Sequence, residues 1–358
     1  MEKYRILTIN PGSTSTKIAV FENDTPIFIK SLKHSIEKLK LFSRIVDQYQ
    51  FRKEVILEEL KAGDIDVQTL DIIVGRGGLI KPIPSGVYEV NEAMVKDLIE
   101  GVMGQHASNL GGLIAADIAK SLPYVKAYIA DPVVVDELQD VSRIAGHPKF
   151  KRVSIFHALN QKAIARRHAK STNRKYEEMS LIIAHLGGGI SVGAHLYGKV
   201  IDVNNALDGD GPFSPERSGS LPSGQMIEIC FSGKYSKDQM KKMVCGEGGF
   251  IAYLGTNQAY DVEIKVREGN AEYKLIQDAM AYQVAKSIGE MATVLKGRVD
   301  AILLTGGIAN NKYFCDYIRN MVEFIAPIVI YPGEDELSAL AMNGLMILHG
   351  EIDVKIYQ

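Results

Sequence analysis

The chain has 358 residues, of which 46% are hydrophobic and 23% charged, with 41 lysines and arginines against 43 aspartates and glutamates. That length buries roughly three quarters of its unfolded surface, most naturally as two domains. The net charge of −2 excludes bulk-charge binding of nucleic acid but leaves room for a local basic site for an anion. Cys230, Cys245 and Cys315 form no C-x-x-C pair, so neither a disulfide framework nor a thiolate zinc site is indicated. No run of about 18 apolar residues occurs, and Met1-Glu2-Lys3 leads straight into Ile6-Leu7-Thr8-Ile9 without the regions of a signal peptide. The expectation is a soluble, cytoplasmic protein with neither a membrane nor a nucleic acid as partner.

In chain order, Arg5–Phe21 reads as strand, Gly/Ser/Thr turn and second strand. Short buried strands follow at 71–74 and 127–130, with helices near 92–102 and 157–170. Leu181–Leu196 repeats the opening plan around Gly187-Gly188-Gly189-Ile190-Ser191. A helix is expected near 236–244, and a longer one from Ala271 to Lys296 places Leu275, Ala279, Met280, Val284, Ile288, Met291 and Leu295 on one face. Ala301–Gly307 is a strand entering a glycine turn, followed by a helix over 310–323 and a last one from about Glu336 to His349. Mixed strand and helix order implies α/β domains with ligands at strand ends.

The two hairpins carry the first chemical signal. Placing Gly12 on Gly188 and Ser15 on Ser191 gives an offset of 176 residues, close to half the chain. Glycine lets a backbone approach an anion closely, and hydroxyls add donors. Two such turns could cradle a polyphosphate; an ordinary Gly/Ser-rich hairpin is the plain alternative for each alone. Gly193–Lys199 has the G-x-x-x-x-G-K frame, but Val200 replaces the magnesium-binding Ser/Thr. Val192 occupies the third glycine of the dinucleotide fingerprint, and Ala206 breaks a calcium-loop register begun at Asp202.

N-P-G-S-T-S-T-K at 10–17, H-L-G-G-G-I-S at 185–191 and L-L-T-G-G-I-A-N-N at 303–311 form an ordered set. It resembles the acetate and propionate kinase superfamily, whose fold is shared with sugar kinases, chaperone ATPases and actin. The resemblance covers essentially the whole chain and is closer still to butyrate kinases, which share the opening motif and the acidic turn seen at Gly333–Glu336. It implies an α/β protein of two similar, duplicated domains of the actin-like ATPase (ribonuclease H-like) type, with an ATP crevice between them. The first domain would span 1–152 plus 333–358 and the second 153–332. It also implies a homodimer or larger assembly.

Site residues follow from the same resemblance. Arg76, in Gly75-Arg76-Gly77-Gly78, matches the arginine that holds the substrate carboxylate, a planar anion suited to a guanidinium fork. Arg217 matches the arginine that stabilises the transferring phosphoryl group, and His157 the transition-state histidine. Asp131 matches the acid that organises cation and substrate arginine, and His106 a further histidine on the substrate side. Asn10 and Glu336 match positions associated with Mg²⁺, the choice among Glu334, Asp335 and Glu336 being open by a residue or two. Asn10, Gly12, Ser13, Thr14, Lys17, His185, Gly187, Gly188 and Gly189 would face the phosphates of ATP or ADP. Gly306, Gly307 and Asn310 would face the adenosine. Gly78 replaces a valine of acetate kinases that lines the methyl pocket, and with the Phe156 wall this implies room for a four-carbon acid, butyrate or isobutyrate. His34, His147, His168, His195 and His349 are read as ordinary surface or core residues.

A carboxylate nucleophile is already anionic, so phosphoryl transfer to it needs cations and aimed donors, not a general base. The expected activity is reversible, direct in-line transfer from ATP to butanoate, giving butanoyl phosphate and ADP. An acetate, propionate or branched-acid kinase is the nearest alternative, and a non-catalytic ATP clamp the alternative of another class. A sugar kinase would need a base for a neutral hydroxyl.

Overall fold

Arg5–Pro11 (β1) is buried at nearly every position, and a strand of that kind must be covered on both faces. In the computed structural model, which describes residues 2–358, β1 lies inside a seven-stranded sheet. It pairs antiparallel with Ser15–Glu22 (β2), which pairs antiparallel with Thr25–Lys33 (β3). On its other side β1 runs parallel to Ile72–Arg76 (β4). Val87–Glu89 (β5) and Lys126–Ala130 (β6) extend the sheet, β6 parallel to β4, and Val354–Lys355 closes the edge.

The second sheet repeats this plan with five strands. Ser180–Leu186 (β7), Ile190–Leu196 (β8) and Lys199–Val203 (β9) form an antiparallel meander. Ala301–Gly306 (β10) runs parallel to β7, and Ile328–Pro332 (β11) parallel to β10. The orders β3-β2-β1-β4-β6 and β9-β8-β7-β10-β11 are therefore equivalent. The half-length repeat is a repeat of topology more than of residues.

The chain divides into two compact units: residues up to Val135 together with Asp335–Gln358, and Asp136–Glu334. The first crossover thus precedes the expected 152. The intervening residues bond into the second unit: Gln139 N–H donates to Ile201 O, and Arg152 Nη1 to Asp202 Oδ1 at 2.8 Å. In the first unit, Leu7, Ile9 and Ile73 pack with Ile56, Leu60, Leu110 and Ile114 of helices Tyr49–Ala62 and Asn109–Ala119. Alternation sends Ile6, Ile72 and Val74 to the other face, where the returning helix Glu336–Leu348 sits with Gly344 against them. In the second unit, Ala271–Val294 and Lys312–Val322 cover the face carrying Ile182, Ala184, Ile302 and Leu304. Ala158–Ser171 covers Leu181, Ile183 and Leu303.

Leu275 does not belong to the buried face of the long helix. It is 67% exposed, and Gln277 (2%) turns inward instead. The helix expected from 310 begins at Lys312, because a 3₁₀ turn Gly307–Asn310 intervenes and Asn311 caps the helix through Phe314 N–H. Two helices give little sequence signal. Tyr49–Ala62 buries Arg52 on the same face as Ile56 and Leu60, and Asn109–Ala119 is buried almost all round, so it shows no stripe.

Candidate active site

Arg76 ends β4, where the first unit gathers its charged residues. Its Nη1 donates to Asn10 Oδ1 and to Glu336 Oε2, both at 3.1 Å, and Asn10 Nδ2 also donates to Glu336 Oε2. Three expected residues from β1, β4 and the start of the returning helix thus meet in one hydrogen-bonded cluster. Glycines permit the approach: a Cβ at Gly75 would strike Gly111 O, and one at Gly111 would strike Arg76 O. Strand and helix therefore touch backbone to backbone.

Glycine 78 has the opposite meaning to the one expected. A Cβ there would lie 2.5 Å from Asn109 Cα and 2.6 Å from Asn109 Oδ1. No emptied valine space exists at this position: the residue is small so that the 76–79 turn can seat on the start of helix Asn109–Ala119, where Asn109 Oδ1 accepts from Leu79 N–H at 2.8 Å. Gly78 therefore opens no acyl pocket.

His106 caps that same region, its Nδ1 accepting from Ser108 N–H at 3.2 Å and lying 2.8 Å from Ser108 Oγ. Asp131, buried with φ +38° at the end of β6, accepts from Ser85 Oγ at 2.6 Å and Gly86 N–H at 2.9 Å. Its neighbour Ala130 pairs with Arg76 across the sheet. Left-handed backbone at a non-glycine residue stores strain at a strand end, which suits a group positioned for function.

The turn from Gly12 to Ser15 is held from beneath by Arg52, which the sequence reading did not single out. Its guanidinium donates to Gly12 O (2.7 Å), Ser13 O (3.0 Å), Ser15 O (3.1 Å) and Thr16 Oγ1 (3.2 Å). With the carbonyls turned inward, Ser13, Thr14 and Lys17 stand exposed. They offer hydroxyls and an ammonium to an anion.

In the second unit His157 occupies the N-cap position of helix Ala158–Ser171. Its ring stacks on that of His185, centroids 3.8 Å apart and planes within 10°. His185 is 1% exposed, with Nδ1 2.9 Å from Asn160 Oδ1 and Nε2 3.1 Å from Glu334 Oε1. It is thus enclosed and oriented, and its ring face meets His157. Phe156, next in the chain to His157, is one of the largest fully buried side chains. Arg217 lies flat on the glycine loop, since a Cβ at Gly189 would overlap its guanidinium, and its Nη1 donates to Ala206 O at 2.6 Å. Gly188 O accepts from Ser214 Oγ at 2.7 Å, and Gly187 N–H donates to Gly189 O at 3.1 Å. A Cβ at Gly187 would press on Glu334 Oε1 and His185 Nε2.

Gly306, at φ +93°, bridges to Gly333 with mutual hydrogen bonds of 3.1 and 2.9 Å. Beyond it, Gly307 and Asn310 line a small cavity of about 70 Å³ with Phe250, Tyr260, Gln277 and Met280. Asn310 Nδ2 closes the turn on Gly307 O at 2.9 Å. Gln277 Nε2 is buried and lacks a partner among the described residues. The only signal for it was its helical spacing from Met280 and Val284, masked by Leu275.

The acidic turn resolves into three roles. Glu334 meets His185, Asp335 caps the returning helix by accepting from Ser338 N–H at 3.1 Å, and Glu336 meets Arg76 and Asn10. Among the described residues no group of three or more His, Cys, Asp or Glu could hold a metal. A hard cation that keeps several waters and binds through one carboxylate plus phosphate oxygens fits the carboxylate of Glu336 with the amide oxygen of Asn10.

Comparison with known proteins identifies the family. The Acetokinase family profile matches residues 150–327. Butyrate kinase 2 of Clostridium acetobutylicum is 57% identical over 99% of this chain and 100% of its own length. A probable butyrate kinase of Bacteroides thetaiotaomicron is 56% identical, with 99% and 100% covered. Among solved structures, acetate kinase of Porphyromonas gingivalis superposes with a TM-score of 0.78 at 17% identity over 96% of this chain and 100% of that one. The duplicated sheets are thus the acetate kinase fold, and the chain belongs to the acetokinase family.

Proposed function

We propose that this chain is a carboxylate kinase that makes butanoyl phosphate and ADP from butanoate and ATP by reversible, direct in-line transfer. The observation that carries it is the Arg76 cluster, a guanidinium fixed by Glu336 and Asn10 at a strand end. The full-length identity to butyrate kinases supports butanoate over other acids.

Arg76 binds the carboxylate, whose charge makes it a nucleophile without a base. Arg217 and His157 donate to the phosphoryl oxygens as charge shifts during transfer. In the first unit Ser13, Thr14 and Lys17 offer donors to phosphate; in the second the Gly187–Gly189 turn offers close backbone approach to phosphate, and Gly306, Gly307 and Asn310 receive the nucleoside. Glu336 and Asn10 would hold Mg²⁺, which when bound neutralises phosphate charge. Three free thiols accord with a cytoplasmic enzyme.

A hydroxamate-trapping assay with ATP, Mg²⁺ and straight and branched acids of two to six carbons tests the proposal. The expected maximum of kcat/KM is at butanoate or isobutanoate. Acyl hydroxamate from none of the acids would overturn the enzymatic reading, and a maximum at acetate would overturn the substrate.

A further inference from the structure

Behind His157 runs a line of side chains that the reaction itself does not use. His157 Nδ1 lies 2.8 Å from Ser191 Oγ. Gln161 Nε2 is 2.8 Å from the same oxygen and 3.1 Å from Ser191 O, and Gln161 Oε1 is 2.9 Å from His195 Nε2. His195 Nδ1 is 2.7 Å from the Tyr176 hydroxyl. Ser191, Gln161 and His195 are each 0% exposed. Glycine 193 leaves them room: a Cβ there would come 2.8 Å from Gln161 Oε1 and 3.4 Å from His195 Nε2.

The protons on this line have only one consistent placement. Ser191 O is a carbonyl and can only accept, so Gln161 must turn its amide nitrogen to it and its Oε1 to His195. His195 Nε2 therefore carries a proton. The ring is neutral, because complete burial and the Lys162 charge hold its pKa well below the ordinary value. Its Nδ1 then accepts from the Tyr176 hydroxyl. At the other end, Ser191 Oγ receives Gln161 Nε2–H, and at 3.4 Å the backbone N–H of His157. With both lone-pair positions faced by donors, its single proton points to His157 Nδ1.

We infer that Tyr176, His195, Gln161 and Ser191 form a positioning relay whose donors all point one way, fixing His157 as the tautomer with its proton on Nε2. His157 then presents an N–H, not a lone pair, to the phosphoryl group. The inference rests on the proposed role of His157 and names four residues that act through it. Were His157 to carry its proton on Nδ1, Ser191 Oγ would face a third donor with its own proton displaced, so the relay disfavours that form.

The test uses the full-length protein with ¹⁵N-labelled histidine and long-range ¹H–¹⁵N correlation, which distinguishes the two tautomers without reference to activity. The wild type should show His157 protonated on Nε2. Ser191→Ala should release the Nδ1–H form and lower kcat on the order of tenfold, with KM for both substrates changed less than twofold. Ser191→Thr, which keeps the hydroxyl, should restore both readouts. Gln161→Glu should reverse the line, drawing the Ser191 proton to the carboxylate and His157 to the Nδ1–H form. Should Ser191→Ala fold poorly by thermal melt, Tyr176→Phe at the far end takes its place, with a shifted His195 Nδ1 resonance on loss of its donor, and Nε2–H retained, as the expected signature. An unchanged His157 tautomer and kcat in Ser191→Ala, or an unchanged spectrum in Tyr176→Phe, overturns the relay. The parent reading fails differently: a His157→Ala enzyme with wild-type turnover would remove His157 from the reaction, whatever its tautomer.

Discussion

Arg52 donates to three backbone carbonyls, Thr16 and Gln48, and burial lowers its pKa to about 10. Its partners among the described residues are neutral, so its role is to satisfy the inward side of the Gly12–Ser15 turn. Arg52→Met would strand those carbonyls, at about 2–4 kcal/mol. Chemical denaturation should show that loss and the KM for ATP should rise; unchanged values for both would separate the turn from nucleotide binding. Beside it, buried His34 bonds to Thr16 Oγ1 at 2.9 Å, and burial, with Arg52 and Lys38 nearby, depresses its pKa to about 4. The unfolded chain then binds more protons than the native one between pH 6.5 and 4, so stability falls as pH drops through that window. His34→Gln should flatten this slope in denaturation midpoints taken from pH 7 to 4. For the two arginines, Arg76→Ala should chiefly raise the acid's KM. Arg217→Ala should chiefly lower kcat, by on the order of 100-fold; steady-state kinetics near wild type for both would place neither in the site.

At the scale of elements, the packing of the end of β4 and the 76–79 turn on the start of helix Asn109–Ala119 shows why small residues stand at 75, 78 and 111. Here a strand end and a helix start approach until only hydrogen atoms fit between them. Gly78→Ala is expected to lose about 2–4 kcal/mol in thermal or chemical denaturation, with the ratio of butanoate to acetate turnover unchanged in whatever remains folded. A fully stable variant with a shifted ratio would restore the acyl-pocket argument. The acidic turn offers a second comparison within one short segment. Asp335→Ala removes a helix cap and should cost about 1 kcal/mol with kcat retained. Glu336→Gln should leave the melt close to wild type and raise the Mg²⁺ concentration needed for half-maximal rate. Equal metal dependence in these two variants would count against Glu336 as a ligand.

At the scale of the whole molecule, the duplication was legible because each half opens with the same strand–turn–strand and the glycines mark both turns. Arg76, Asn10 and Glu336 were legible through motif, and the structure brings them together. Gly78 was misread because a glycine required by a neighbouring backbone looks, in sequence, like one that leaves a hole. Arg52 and Gln277 went unseen because polar residues on buried helix faces weaken the very periodicity used to find them. Ser191, Gln161 and His195 could not be connected, since their alignment arises only when β8 and helix Ala158–Ser171 lie side by side. Removing residues 335–358 tests the division into units: it strips Leu340, Ala341 and Leu345 from one face of the first sheet. Hydrogen exchange should then show lost protection in β1, β4 and β6 and retained protection in β7 and β10; protection retained in all would deny the helix its structural role.

The returning helix also imposes an order on synthesis. Residues 136–334 leave the ribosome before Asp335–Leu348, so the second unit holds all its strands while the first still exposes Ile6, Ile72 and Val74. Glu336, which completes the Arg76 cluster, follows the whole of the second unit in the chain. A nascent chain therefore presents its second-unit glycine loops before the Arg76 cluster, the proposed carboxylate site, can be completed.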